Sequence, residues 1–220
     1  MRRAVCVVLL LFQACLWAQG VHPVSGRRYA GVMGVGGADW LVRSERETEE
    51  QPDQALDAIG IAPGLTVADI GAGVGYMSWR MAERVGPTGK VYCNDIQPKM
   101  LDLLRQNMQQ RKLTNYVTVL GETDDPKLPP AAMDLVLLVD VYHEFSEPQK
   151  MLRHILTAMK PGGRLVLLEY RGEDPNVPIR PEHKMTVAQV KAELEPEGFR
   201  LDKVLETLPR QHILIFKIAK

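Results

Sequence analysis

The chain has 220 residues with 27 basic and 27 acidic side chains, a formal net charge of zero. That balance excludes an electrostatic case for nucleic acid or an anionic membrane as partner and points to a small or neutral substrate. The hydrophobic share of 45% and charged share of 25% are globular averages, and the length suffices for one domain with its own core.

In chain order, residues 1–19 stand apart. Arg2 and Arg3 form a basic start, residues 4–12 are continuously apolar, and Ala18 places a small residue before Gln19. This is the layout of a secretory signal peptide, too short to span a bilayer comfortably, and it predicts export with no membrane-spanning segment after its removal. The other reading, an apolar leader that is no signal or a start codon set too early, leaves the chain cytoplasmic. Cys6 and Cys15 would leave with it, so Cys93 alone excludes an internal disulfide or a cysteine metal site in the mature chain. Residues 20–60 read as an N-terminal arm and helix. The first part, 20–37, has no period and is expected as an extended surface arm; 39–60 is helical in pattern, broken at Pro52. No internal repeat or low-complexity tract follows, so residues 61–220 are expected to form one domain.

Residues 66–77 read TVADIGAGVGYM. A short apolar run carries Asp69 into Gly71, Gly73 and Gly75, and a helix pattern starts at Tyr76. A strand that delivers the chain to a glycine turn, with the next helix aimed at the turn, is an arrangement for holding a ligand against bare backbone. Further strands are expected at 90–94, 117–120, 135–139 and 164–170, with helices at 76–85 and 98–111 between the first of them. A third helix should be capped by Ser146, with Gln149 completing a capping box, and end at Pro161-Gly162-Gly163. Thr186 and Gln189 repeat the capping pattern. Strands at 200–207 and 212–218 are separated by too few residues for a crossover helix, so they must pair antiparallel.

These motifs occur in a fixed order. The glycine run is followed by Asp95 at the end of the second strand and Glu122 after the third, then DVYHEF (140–145) and KPGGRLVLLEY (160–170). Together they resemble the class I S-adenosylmethionine-dependent methyltransferases over residues 66–220, and most nearly their small-molecule members of the ubiquinone/menaquinone type. The resemblance implies an α/β fold: a Rossmann-like, seven-stranded, mostly parallel sheet with helices on both faces and a C-terminal antiparallel hairpin. It also implies S-adenosylmethionine as cofactor and a small-molecule acceptor, without naming the acceptor or setting the oligomeric state. No N-P-P-Y follows the fourth strand, where amino-methylating nucleic-acid enzymes commonly carry it.

Roles follow from the same resemblance. Gly71, Ala72, Gly73 and Gly75 form the cofactor loop, with Asp69 expected to hold its backbone amides. Asp95 would accept the ribose hydroxyls, Ile96 and Met100 wall the adenine, and Glu122 with Thr123 meet its amino group, Asp124 and Asp125 being the competitors if the loop is shifted. Asp140 would face the methionine part of the cofactor, its carboxylate needing a nearby donor. His143 and Glu144 are the candidates for orienting or deprotonating the acceptor. Trp40, Tyr76 and Tyr142 are aromatic candidates to face the sulfonium. His143, Glu169 and His183 have the residue types of a metal site, but the sequence sets none of their distances and no metal is assigned. Two other readings stay open. An exported chain would be separated from a cofactor made in the cytosol, which leaves a non-catalytic binding module on the same scaffold. A nucleotide-dependent oxidoreductase comes third, because the third glycine falls one position early for G-x-G-x-x-G.

Overall fold

In the computed structural model, residues 20–219 are described, and the expected leader lies outside them. The apolar runs become strands and the glycine- or proline-bounded periodic segments become helices. β1 (Thr66–Ile70) is followed by α3 (Tyr76–Val85), β2 (Lys90–Asp95), α4 (Pro98–Gln110), β3 (Tyr116–Leu120) and β4 (Met133–Val139). Then come α5 (Pro148–Ala158), β5 (Met159–Arg171), the two-residue β6 (Lys184–Met185), α6 (Val187–Leu194), β7 (Phe199–Leu205) and β8 (Gln211–Ile218). Ahead of these, α1 (Arg46–Glu50) and α2 (Pro52–Ile59) meet at Gln51, whose φ of 48° breaks the helix where proline was expected to break it.

The strands order as β3-β2-β1-β4-β5-β8-β7, with β6 added to the end of β5. β1 to β5 pair parallel, and β8 runs antiparallel between β5 and β7. The expected seven strands and C-terminal hairpin are therefore present, with β6 as a short addition. Leu135 to Leu138 have no exposed surface because both sides of the sheet are covered. Leu56, Met81 and Leu104 from α2, α3 and α4 pack on one side. Leu152, Ile155 and Val190 from α5 and α6 pack on the other.

Three local expectations are corrected. Ser146 does not cap α5: Pro148 occupies its first turn, Glu147 is the capping position, and no side chain closes it. A proline's fixed φ starts the helix one residue later than the polar pattern suggests. Nor does α5 continue to the glycines. Met159 is already extended and pairs with Met133, and the register shifts before Leu135 meets Arg164. By contrast, Thr186 and Gln189 form the expected reciprocal box.

The third correction concerns the arm, which is not a free surface segment. Arg27 chelates Glu193 of α6 through Nε at 2.8 Å and Nη2 at 3.0 Å, and its Nη1 donates to the His143 carbonyl at 3.0 Å. The Ala30 amide reaches the same carbonyl at 3.0 Å. A 3-10 helix (Val35–Val42) then carries the chain across the carboxyl ends of the strands. Among the described residues no helix is long and apolar enough to cross a membrane.

Candidate active site

The carboxyl ends of β1, β2, β4 and β5, together with the arm, enclose a cavity of about 640 Å³. Parallel sheets place ligands at this edge, and the volume is in the range of small-molecule sites.

Gly71 and Gly73 line the cavity at φ of 70° and 53°. Their missing side chains also serve the protein's own packing. A Cβ on Gly71 would stand 2.3 Å from Val141 Cγ2, and one on Gly73 2.8 Å from Leu41 Cδ1 of the arm. Gly75 does not line the cavity; a Cβ there would meet Leu104 Cγ at 2.8 Å, so this glycine lets α3 approach α4. Ala72 is buried beside the loop, its amide donating to the Asn94 carbonyl at 2.8 Å. The loop is thus a cavity wall and a packing joint at once.

Asp95 is turned inward and only 6% exposed. Its Oδ2 accepts the Gly73 amide and its Oδ1 the Gln97 amide, each at 2.9 Å. An ionised carboxylate has about four lone-pair sites, so about two remain for hydroxyl donors in the cavity that Asp95 lines. Burial pushes its pKa up, opposed by the Gln97 and Gly73 amides. Asp69 is placed differently from expectation. It does not line the cavity, and its carboxylate accepts the Ser78 hydroxyl of α3 at 2.5 Å, not the glycine-loop amides. Burial raises it to about 6, against the Ser78 bond and the charge of Arg46.

Ile96 and the fully buried Met100 line the apolar part of the cavity, and Glu122 and Thr123 line its edge. The Glu122 side chain is mostly exposed and stands 3.4 Å from Lys127 Nζ. Asp140 closes β4 at φ 52°. The donor its burial demands is Gln211 of β8, whose Nε2 reaches Oδ2 at 2.7 Å, while Oδ1 is buried without a partner. Burial first, and then the charges of Glu50 and Glu169, hold the Asp140 pKa well above the carboxylate range.

His143 and Glu144 both line the cavity. His143 Nδ1 meets Glu169 Oε2 at 2.6 Å, and Glu169 Oε1 accepts the Tyr142 amide at 3.0 Å. Burial disfavours the imidazolium, but the charge and hydrogen bond of Glu169 outweigh it and raise the His143 pKa. Burial also lifts Glu144 to about 7. Glu169 stands behind His143, whereas His183 meets its other face, Nδ1 to Nε2 at 3.1 Å.

Of the three aromatic candidates, Trp40 alone lines the cavity. Tyr76 lies between the guanidiniums of Arg46 and Arg80, with its hydroxyl donating to Glu47 Oε1 at 2.8 Å. Tyr142 is fully buried edge-on to Phe145. Sequence reasoning missed Arg43, Arg46 and Glu50 as cavity residues; Tyr170, at the end of the fifth strand where the crevice was expected, lines it with them. Arg46 Nε donates to Glu50 Oε2 at 2.6 Å and the Tyr170 hydroxyl to Glu50 Oε1 at 2.9 Å, so a run of charge that reads as a solvated helix is internal. The i,i+4 spacing of Arg46 and Glu50 is its one visible sign.

A family model described as a methyltransferase domain matches residues 61–208. The ubiquinone/menaquinone biosynthesis C-methyltransferase UbiE of Ectopseudomonas mendocina is 32% identical over 116 residues, which are 52% of this chain and 45% of that protein. The chain thus spans about half the length of the curated relatives it matches. The crystal structure of an S-adenosylmethionine-dependent methyltransferase from Aquifex aeolicus superposes with a TM-score of 0.81 at 26% identity, covering 86% of this chain and all of that one. A type 11 methyltransferase structure from Sulfolobus solfataricus superposes at 0.64 and 19% identity, covering 78% and 94%, and shares the fold.

Proposed function

We propose that this chain, which belongs to the methyltransferase-domain family, transfers a methyl group from S-adenosylmethionine to a small-molecule acceptor. The observation that carries the reading is the continuity of one cavity, from the buried carboxylate of Asp95 and the glycine-loop residues Gly71 and Gly73 to His143 and Glu144. The residues present suit the cofactor. Asp95 keeps acceptor capacity for a vicinal diol, Ile96 and Met100 offer apolar walls to a base, and the unpartnered Oδ1 of Asp140 offers a buried acceptor to an ammonium group.

When bound, the cofactor supplies a methyl group already activated by the sulfonium. The protein's part is then mostly positioning and exclusion of water. Arg27 and Ala30 fasten the arm to the His143 carbonyl, and the arm brings Met33, Trp40 and Leu41 to the cavity wall. Glu169 fixes the His143 ring, and His143 and Glu144 meet the acceptor and hold its reacting atom. The names of the UbiE relatives support a small organic acceptor, as does the zero net charge.

Calorimetric titration with S-adenosylmethionine, S-adenosylhomocysteine and NAD tests the reading. Binding of the first two without NAD is expected. Tight NAD binding alone would restore the oxidoreductase reading, and no binding of any would favour the non-catalytic scaffold. Tracing labelled methyl groups into small molecules of a cell extract then narrows the acceptor.

A further inference from the structure

We propose that His143, Glu144 and His183 form a binding site for one divalent first-row transition cation, zinc or a close analogue, at the acceptor end of the cavity. The three side chains come from two separate turns, residues 142–144 after β4 and 181–183 before β6, which the attachment of β6 to β5 brings together. One ligand atom from each lies within 4.8 Å of the other two.

The spacing suits a metal. His143 Nε2 and His183 Nδ1 are 3.1 Å apart. Two nitrogens at the usual zinc distance of about 2.0–2.1 Å and a tetrahedral angle stand about 3.3 Å apart. The rings are inclined at 81°, so the two imidazoles approach from different directions and do not stack.

The surroundings suit it as well. A carboxylate oxygen 2.6 Å from Nδ1 favours the tautomer of His143 with its proton there, which leaves the Nε2 lone pair towards His183. A carboxylate on the far nitrogen is the usual support of a metal-bound histidine. Glu169 is itself steadied by the Tyr142 amide at 3.0 Å. Two imidazoles and one carboxylate are a donor set for zinc and its neighbours, not for calcium or magnesium. Three protein ligands leave a coordination position open, and all three line the 640 Å³ cavity, so an oxygen of a bound small molecule has access to it. The competing arrangement is an imidazole–imidazole hydrogen bond with no cation.

The two arrangements separate in a titration that needs neither methyl donor nor acceptor. The untagged full chain, stripped with chelator, is titrated with Co²⁺ and followed by its visible d–d absorption, then back-titrated with Zn²⁺. One equivalent of Co²⁺ per chain, displaced by zinc, is expected. His183→Ala and Glu144→Gln should each weaken binding at least tenfold with unchanged circular dichroism. His154→Ala, an exposed histidine on α5 that lies outside the cavity, should leave binding as it is. Absence of a Co²⁺ spectrum, full affinity in His183→Ala, or loss of binding in His154→Ala would overturn the proposal. Titration of the metal-free chain with S-adenosylhomocysteine reports separately on methyl transfer, so the two readings can fail independently.

Discussion

Asp95 divides its carboxylate between the protein and the cavity, and that division sets what its removal does. Two backbone amides, those of Gly73 and Gln97, already use one oxygen each. Asp95→Ala should therefore loosen the glycine turn and remove the diol acceptor together, weakening S-adenosylhomocysteine roughly tenfold to a hundredfold, about 1.5–3 kcal/mol. Calorimetry on a variant with native circular dichroism measures it, and unchanged affinity would refute the ribose assignment. Asp69 makes the opposite case, a carboxylate held for structure at a cost. Its pKa rises from 3.8 to about 6, chiefly through burial, with Arg46 opposing and Asp95 reinforcing the shift. Between those pH values the native state holds more of this proton than the unfolded chain does. Its contribution to stability is full below about pH 4 and lost as pH rises through about 6, by roughly 3 kcal/mol at 1.36 kcal/mol per unit. Asp69→Asn should then be the more stable protein in urea at pH 8, with the advantage vanishing near pH 4. A wild type that stays the more stable at pH 8 would contradict the assignment.

The elements that the sequence made legible are those decided locally or by burial on both faces. Leu135 to Val139 could only be an interior parallel strand, and Thr186 closes its own helix through Gln189. Ser146 carried the same signal, but Pro148 two residues on decided the start, since a proline fits the first turn and needs no amide there. The glycines after Lys160 looked like a helix end. The extension of Met159 toward Met133 depends on a strand distant in sequence, which no local pattern displays. The arm failed for the same reason: its partner, Glu193, lies in the last quarter of the chain. Arg27 is nearly buried on both oxygens of a fully buried Glu193. Arg27→Ala removes the guanidinium on that charge and leaves it to the Ser25 hydroxyl and to His22 Nε2 at 3.3 Å, whose pKa burial lowers, and should cost about 3–5 kcal/mol. The double variant Arg27→Met/Glu193→Gln should regain a large part of it, because no unpaired buried charge remains. Equal melting temperatures for the single and double variants would show that the pair does not fasten the arm.

At the scale of the molecule, the cavity belongs half to the sheet and half to the arm. The sheet half was readable because strand order, glycine turn and strand-end acids follow one another in sequence. The arm half was not, since Arg43, Arg46 and Glu50 look like a solvated charge run until Tyr170 and Asp140 are seen beneath them. Leu41 lies so near Gly73 that a single added carbon would not fit between them. A ligand laid against Gly73 would therefore meet Leu41 of the arm as well. Binding to the native state alone should raise stability by about 2.7 kcal/mol at a hundredfold excess over Kd. If the arm is a working wall, that gain is distributed: S-adenosylhomocysteine should slow amide hydrogen exchange in residues 31–43 of the arm and 71–75 of the loop over the same concentration range. Protection of the loop with an unchanged arm would mean that the ligand occupies the sheet half alone. The arm would then be a strap for folding, with no part in recognition.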